Sequence, residues 1–301
     1  MYWRIVHLKR RTQARYFYLF ITPWIIGFLV FQLYPIISSL YYSFTDYEIP
    51  GKPVFIGFQN YINAFHDSIF FKSIQVTLYY TLLSVPIGLL LSLFFALLLN
   101  QNVFGKGIFR TLMYLPSMVS GVSMSLLWVW IFNPQYGIAN YLLSLIHITG
   151  PAWLSDEHWA VPALIIMSFW TTGEGMVLFL AALQGVPRSL EEAAVLDGAN
   201  RFQRFRNITL PMISPIILFQ LIINIINSFQ VFTQAFVMTE GGPHYATTFY
   251  VYYIYQNAFV NFKMGYASAL AWMLLAVVMI ITALIMKFSN RFVYYEGGEN
   301  A

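Results

Sequence analysis

The chain has 301 residues, of which 59% are hydrophobic and 9% charged, with a net charge of +4 and no cysteine. Soluble domains carry about 25% charged residues, so this apolar surface needs a bilayer as its solvent. Without cysteine, structural disulfides, thiolate metal sites and cysteine catalysis are excluded.

Residues 1–15 are basic and lead into an apolar run. That run is too long for a signal-peptide core and no small-x-small cleavage site closes it, so it reads as a retained first helix. Further on, the charges cluster and leave long uncharged intervals. A spanning helix needs about 20 mostly apolar residues. Six spans are therefore expected, over 17–42, 74–99, 111–132, 160–183, 211–239 and 264–288. The expected fold is an all-α integral membrane protein with six transmembrane helices. It divides into a cytoplasmic basic N-terminus (1–15), a six-helix transmembrane domain (16–290) and a cytoplasmic tail (291–301). Six spans put both termini on one side with loops 100–110 and 184–210, and that side holds thirteen of the 16 lysines and arginines. This asymmetry places both termini in the cytoplasm. The same cations meet anionic lipid headgroups, so the positive charge calls for no nucleic acid.

The outer loops carry turn signals at Pro50, Gly51, Pro53 and Gly57, at Asn133-Pro134 and Gly150-Pro151, and at Glu240-Gly241-Gly242-Pro243. Trp153 and Trp159 suit an interfacial aromatic belt. On the third span Ser117, Ser120 and Ser123 are either path-lining or bonded to their own helix. Small-residue spacings at Gly265/Ala269 and Ala267/Ala271 read as helix packing.

In the fourth span Glu174 lies between Gly173 and Gly175. A charge at a helix centre costs about 2.5–3.5 kcal/mol on insertion scales, so this side chain should face protein or water. Three readings stay open: a carboxylate accepting solute hydroxyls, an ion pair with a partner chain, or a protonated acid bonded to a neighbouring helix. Thr171 stands nearby. On the fifth span Gln220, Asn224, Asn227 and Ser228 follow i, i+4, i+7, i+8 spacing, and Val231 and Gln234 extend the stripe. Amides and hydroxyls both donate and accept, which suits sugar hydroxyls; interhelical bonding is the plainer use.

The polar cytoplasmic loop 184–210 interrupts this apolar chain. Ser189-Leu190-Glu191-Glu192 fits a capping box, with Ser189 as N-cap and Glu192 reaching back. Ala193 and Ala194 favour helix, and Gly198 can close it in a left-handed cap. A second short helix is expected with Phe202 and Phe205 on one face beside Arg201, Arg204 and Arg206, before Pro211 opens the fifth span. Such a hairpin is either a plug for a partner's groove or an amphipathic element lying on headgroups.

Glu192-Ala193-Ala194, Asp197-Gly198-Ala199, Phe202, Phe205 and Leu210-Pro211 together resemble the EAA loop of ATP-binding-cassette (ABC) importer permeases. Other stretches are similar to carbohydrate-uptake permeases of the kind found as the larger subunit of the maltose importer. They include Gly57-Phe58-Gln59-Asn60-Tyr61, Ser228-Phe229-Gln230-Val231-Phe232 and Met264-Gly265-Tyr266-Ala267. The similarity covers roughly residues 15 to 295.

The resemblance implies a type I ABC importer permease fold in a bacterial or archaeal cytoplasmic membrane. Its EAA residues Glu192, Ala193, Ala194, Asp197, Gly198, Ala199, Phe202 and Phe205 would couple to an ATPase subunit. The implied partners are a second permease, two ABC ATPases, an extracytoplasmic solute-binding protein and a sugar substrate. Asn224, Ser228 and Val231 align with sugar-contacting positions, and Glu174 departs from a segment that is usually uncharged. The expected substrate path is Glu174, Thr171, Gln220, Asn224, Asn227, Ser228, Val231 and Gln234. No residue is assigned to catalysis or to a metal. The chain has no Gly-rich Lys-Ser/Thr phosphate loop, Gly105-Lys106-Gly107 not being one, so ATP and Mg belong to the partner ATPase. Glycerol phosphate esters are an alternative solute. An ion-coupled secondary transporter using Glu174 is a second alternative, which the EAA segment opposes. An intramembrane enzyme would need a catalytic set that the spans lack.

Overall fold

The computed structural model describes residues 16–101, 104–289 and 293. The expected basic segment 1–15 lies outside the described residues, as does the tail 291–301 apart from residue 293. The helices in chain order are α1 Tyr16–Ser43, α2 Gln59–Ala64, α3 Ser68–Asn100, α4 Lys106–Tyr114, α5 Gly121–Ile131 and α6 Ile138–Leu145. They continue as α7 Ala160–Ser168, α8 Gly173–Gln184, α9 Arg188–Leu196, α10 Arg201–Phe229, α11 Tyr250–Tyr255 and α12 Met264–Ser289. Among the described residues the one sheet is an antiparallel hairpin of β1 Thr45–Asp46 and β2 Val54–Phe55, with Thr45 opposite Phe55.

Four helices, α1, α3, α10 and α12, are each long and apolar enough to cross a membrane. Two bent segments, Lys106–Met118 with Gly121–Ile131 and Ala160–Thr171 with Gly173–Gln184, bring the number to six. The all-α character and the span count thus agree with expectation, but three of the expected spans are not straight rods. The third bends by 101° and the fourth by 44°. In the third, Pro116 sits in a 3-10 turn over Leu115–Met118, and Ser120 starts α5 afresh by accepting from the Ser123 N–H at 3.3 Å. In the fourth, a 3-10 turn over Phe169–Thr171 precedes α8.

The fifth span departs differently. It was expected over 211–239 with Pro211 in its first turn, whereas α10 starts at Arg201 and ends at Phe229. A proline lacks the N–H donor and crowds the carbonyl one turn back. A widened π turn over Phe205–Thr209 makes room, so the helix runs through Pro211 without breaking. The same device appears in α1, where the π turn Leu29–Leu33 precedes Pro35.

By internal contacts the chain forms two units, residues 1–64 with 256–273, and residues 65–255 with 274–301. In the first, the Asn60 amide donates to the carbonyls of Ser43 (3.0 Å) and Thr45 (2.8 Å), and the Tyr61 hydroxyl bonds to Ser43 Oγ at 2.8 Å. These bonds fix the hairpin at the end of α1. The Gly265 N–H donates to the Tyr47 carbonyl at 3.0 Å, and a Cβ on Gly265 would strike the Thr45 carbonyl. Both resemblance stretches, around Asn60 and around Gly265, thereby acquire a physical reason.

The second unit holds two apolar cores. One gathers Tyr80, Trp128, Phe132, Leu164, Val231 and Phe249; the other gathers Ala96, Leu99, Met176, Phe179, Leu183 and Ile213. Trp153 belongs to the first core and donates from Nε1 to Asn140 Oδ1 at 2.6 Å. It is 8% exposed, which corrects the expectation of an interfacial belt residue. Helix α3 supplies Tyr80 to one core and Ala96 to the other, and α10 with its extension does the same through Val231 and Ile213. The stretches in between line a cavity.

Candidate functional site

The cavity has a volume of about 590 Å³ and is bounded by α3, α5, α7, α8 and α10 with their connecting turns. All eight residues expected along a substrate path line it: Thr171, Glu174, Gln220, Asn224, Asn227, Ser228, Val231 and Gln234. Each broken span breaks here, since Val119, Thr172 and Val231 are all wall residues. A break leaves backbone groups without helical partners, and these must be bonded elsewhere or wetted.

At the start of α8 the groups left over are N–H groups, whereas part of the polar stripe adds a second bond to carbonyls the helix already uses, as with Thr172, which accepts from the Met176 N–H at 3.0 Å. Ser92 Oγ donates to the Thr172 carbonyl at 3.0 Å, and Gln220 Nε2 donates to the Gly175 carbonyl at 3.3 Å. Helices α3 and α10 thus brace the start of α8 from two directions. The Asn224 amide donates to the Gln220 carbonyl (2.8 Å) and to Gln220 Oε1 (3.3 Å), holding Gln220 in place. Ser228 Oγ bonds to Ile225 O (2.7 Å) and pairs with Thr81 Oγ1 (2.9 Å), joining α10 to α3. Thr171 Oγ1 donates back to the Ser168 carbonyl at 2.9 Å. For these residues the plainer interhelical or local use is realised.

Glu174, Asn227 and Gln234 differ, because their side chains form no hydrogen bond or ion pair among the described residues and line the cavity. Glu174 does not sit at a helix centre, as its span position suggested. It occupies the first turn of α8, just after the bend, where the positive end of the helix dipole favours a carboxylate. Its neighbouring glycines serve packing: a Cβ on Gly173 would strike the Met113 carbonyl, and one on Gly175 would meet Ser92 Oγ at 2.7 Å.

Sequence reasoning missed the opposite wall. Tyr80, Ser84, Gly88 and Ser92 of α3 line the cavity at a constant spacing of four, and that stripe was legible inside the expected span 74–99. Tyr80 stands beside Ser84 and Ser168 in this wall. The serines expected on the third span do not line it. Ser117 Oγ bonds to Tyr114 O at 2.6 Å and Ser120 Oγ bonds to Ser123 Oγ at 3.0 Å, while Val119, Gly121 and Met124 make that part of the wall.

The loop 184–210 is a second candidate surface. Helix α9 begins after Pro187 with no side-chain cap, so Ser189 is inside the helix and the expected capping box is absent. Glu192 is exposed and its carboxylate is not used by the backbone. Gly198 ends α9 as expected, with φ +78° and the Ala199 N–H on the Ala194 carbonyl at 2.9 Å. The capping box instead opens α10. Asn200 Oδ1 accepts from the Gln203 N–H (2.9 Å) and Gln203 Oε1 accepts from the Asn200 N–H (2.8 Å). Leu196 is 88% and Phe202 68% exposed, but Phe205 is half-buried at the start of the π turn and does not share the exposed face.

Comparison with known proteins places this architecture. The family model described as "binding-protein-dependent transport system inner membrane component" matches residues 84–294. The chain belongs to that family. Among its relatives is the probable ABC transporter permease protein YesP of Bacillus subtilis (strain 168), 43% identical over 94% of this chain and 93% of the relative. The arabinooligosaccharides transport system permease protein AraP of the same organism is 33% identical, over 96% and 92% of the two chains. A crystal structure of a bacterial alginate ABC transporter, in complex with an alginate pentasaccharide-bound periplasmic protein, superposes with a TM-score of 0.81. The identity there is 28%, covering 94% of this chain and 96% of that one. The molecule is thus a membrane-integral ABC importer permease, a transport component like its relatives.

Proposed function

We propose that this chain is one membrane-spanning half of an ATP-driven importer of sugars or oligosaccharides, working by alternating access. It sits in the cytoplasmic membrane of a bacterium or archaeon with both termini and loop 184–210 inside the cell. Its partners are a second permease, two ABC ATPases that bind ATP and Mg, and an extracytoplasmic solute-binding protein. The supporting observation is the cavity, whose about 590 Å³ lies in the range of small-solute sites (about 300–1,000 Å³). Asn227 and Gln234 offer it free amides, and Tyr80, Ser84, Ser168 and Thr172 add hydroxyls around it. Such groups exchange hydrogen bonds with sugar hydroxyls at little net cost, which suits a carrier that must also let go. Relatives named for arabinooligosaccharide and alginate transport support the carbohydrate assignment.

The coupling residues are Glu192, Ala193, Ala194, Asp197, Gly198, Ala199 and Phe202, with Phe205 anchoring the base of the hairpin. Phe202 of this set and the adjacent Leu196 are exposed apolar groups that favour a protein groove over water. A reconstituted preparation with the ATPases, second permease and binding protein should take up labelled oligosaccharide only with ATP and binding protein present. Uptake driven by a proton or sodium gradient without ATP would instead identify a secondary transporter.

A further inference from the structure

Resting on the sugar-importer reading, we propose that the cavity is charge-selective. It admits uncharged or cationic glycosides and rejects those bearing a carboxylate, phosphate or sulfonate, and Glu174 is the residue that rejects them. Of the side chains that line the cavity, Glu174 is the one that carries a full charge, and no lysine, arginine or histidine accompanies it among the described residues. Its carboxylate forms no ion pair or hydrogen bond there, so no cationic side chain among the described residues pairs with it. The wall around it is made of neutral amides and hydroxyls set among apolar side chains such as Leu178, Phe219 and Ile223.

An ionised carboxylate accepts hydrogen bonds and donates none. A vicinal pair of solute hydroxyls, or an ammonium group, supplies the donors it lacks. An anionic solute supplies a second negative charge, and two like charges at a partly wet site lined by protein repel more than in bulk water. The helix dipole at the start of α8 steadies Glu174 itself. That placement suits a gatekeeping carboxylate. Selectivity arises here from a repulsive element, with the attractive contacts left generic.

The test uses the purified importer complex without binding protein, so that only the membrane cavity is probed. Three disaccharide probes of equal size are titrated at pH 7 by calorimetry: a neutral disaccharide, its uronic acid and its amino-sugar analogue. The expected order is amine, then neutral, then acid, with the acid weaker than the neutral probe by about tenfold, the scale of a like-charge pair within about 8 Å at a partly wet site. In Glu174→Gln the three affinities should converge while the melting temperature and the association with the second permease stay unchanged. Raising the salt to about 0.5 M should narrow the wild-type gap, because free ions screen exposed charges. An acid probe that binds the wild type as well as the neutral one overturns the proposal, as does an order that persists in Glu174→Gln. Dissociation of the permease pair in Glu174→Gln overturns it too, since the carboxylate would then be an interchain ion pair. If no probe of any charge binds, the cavity is not a solute site and the proposal falls, while the sugar reading stands or falls separately by the ATP-dependent uptake assay.

Discussion

The cavity and loop 184–210 invert their surroundings in opposite ways. In the cavity, polar side chains gather among apolar helices; at the loop, Leu196 and Phe202 stand exposed in a polar segment. The loop closes two of its turns internally, through the Asn200–Gln203 box and the Gly198 turn, while the start of α9 has no side-chain cap. The cavity instead draws on Ser92 and Gln220 from neighbouring helices, which tie the start of α8 in place. One surface is therefore prefabricated and waits for a partner, while the other is held open by long-range bonds. Damage should spread differently from each.

The largest expected effect is at the brace. Gly173→Val drives a branched side chain into the Met113 carbonyl, so folding should lose about 3 kcal/mol or more, read as failure to purify or a collapsed melting curve. Survival with a normal melt would mean that this close approach does not hold the bend. Next is Glu192→Gln, which removes a charge that no cap uses. ATP-dependent uptake should fall at least about tenfold, the cost of a lost charge-assisted contact, with helix content and melting unchanged. Retained transport would reduce the loop to a lipid-lying hairpin. In the cavity, Asn227→Ala should slow uptake several-fold without a stability change, whereas Gln220→Ala should lower stability by about 1 kcal/mol by removing the interhelical bond to the Gly175 carbonyl. Equal melting curves for the two would erase the distinction between free and bracing amides. Smallest is Asn200→Ala, expected to cost about 1 kcal/mol locally and to speed amide hydrogen exchange over residues 201–204 alone.

Hydropathy and charge made the six spans legible, because lipid demands long apolar runs and repels cations between them. They were silent on the breaks. The cues lay in Pro116, in Thr171-Thr172-Gly173 and in Gln230, short polar or ring-bearing interruptions that a 20-residue window averages away. The stripe on α10 was readable from its spacing, and so was its counterpart Tyr80-Ser84-Gly88-Ser92, which was overlooked because glycine and serine scarcely mark a hydropathy profile. Which amides brace and which stay free follows from partners distant in sequence, as with Gln220 and Gly175, and no local pattern encodes that. The capping box erred for a related reason. Ser189-Leu190-Glu191-Glu192 and Asn200-Arg201-Phe202-Gln203 both fit the motif, but Pro187 occupies the N-cap of the first helix and leaves Ser189 inside it.

The π turn ahead of Pro211 has a mechanical consequence. Because the chain stays helical from Arg201 to Phe229, 29 residues form one strut about 43 Å long, with the Asn200 box at its foot and Asn227 near its head. A pivot of about 5° at the foot swings the head by about 4 Å, roughly one atomic diameter past contact. Had the proline severed the rod, a nudge from below would dissipate in a hinge; kept whole, it arrives at the chamber as displacement.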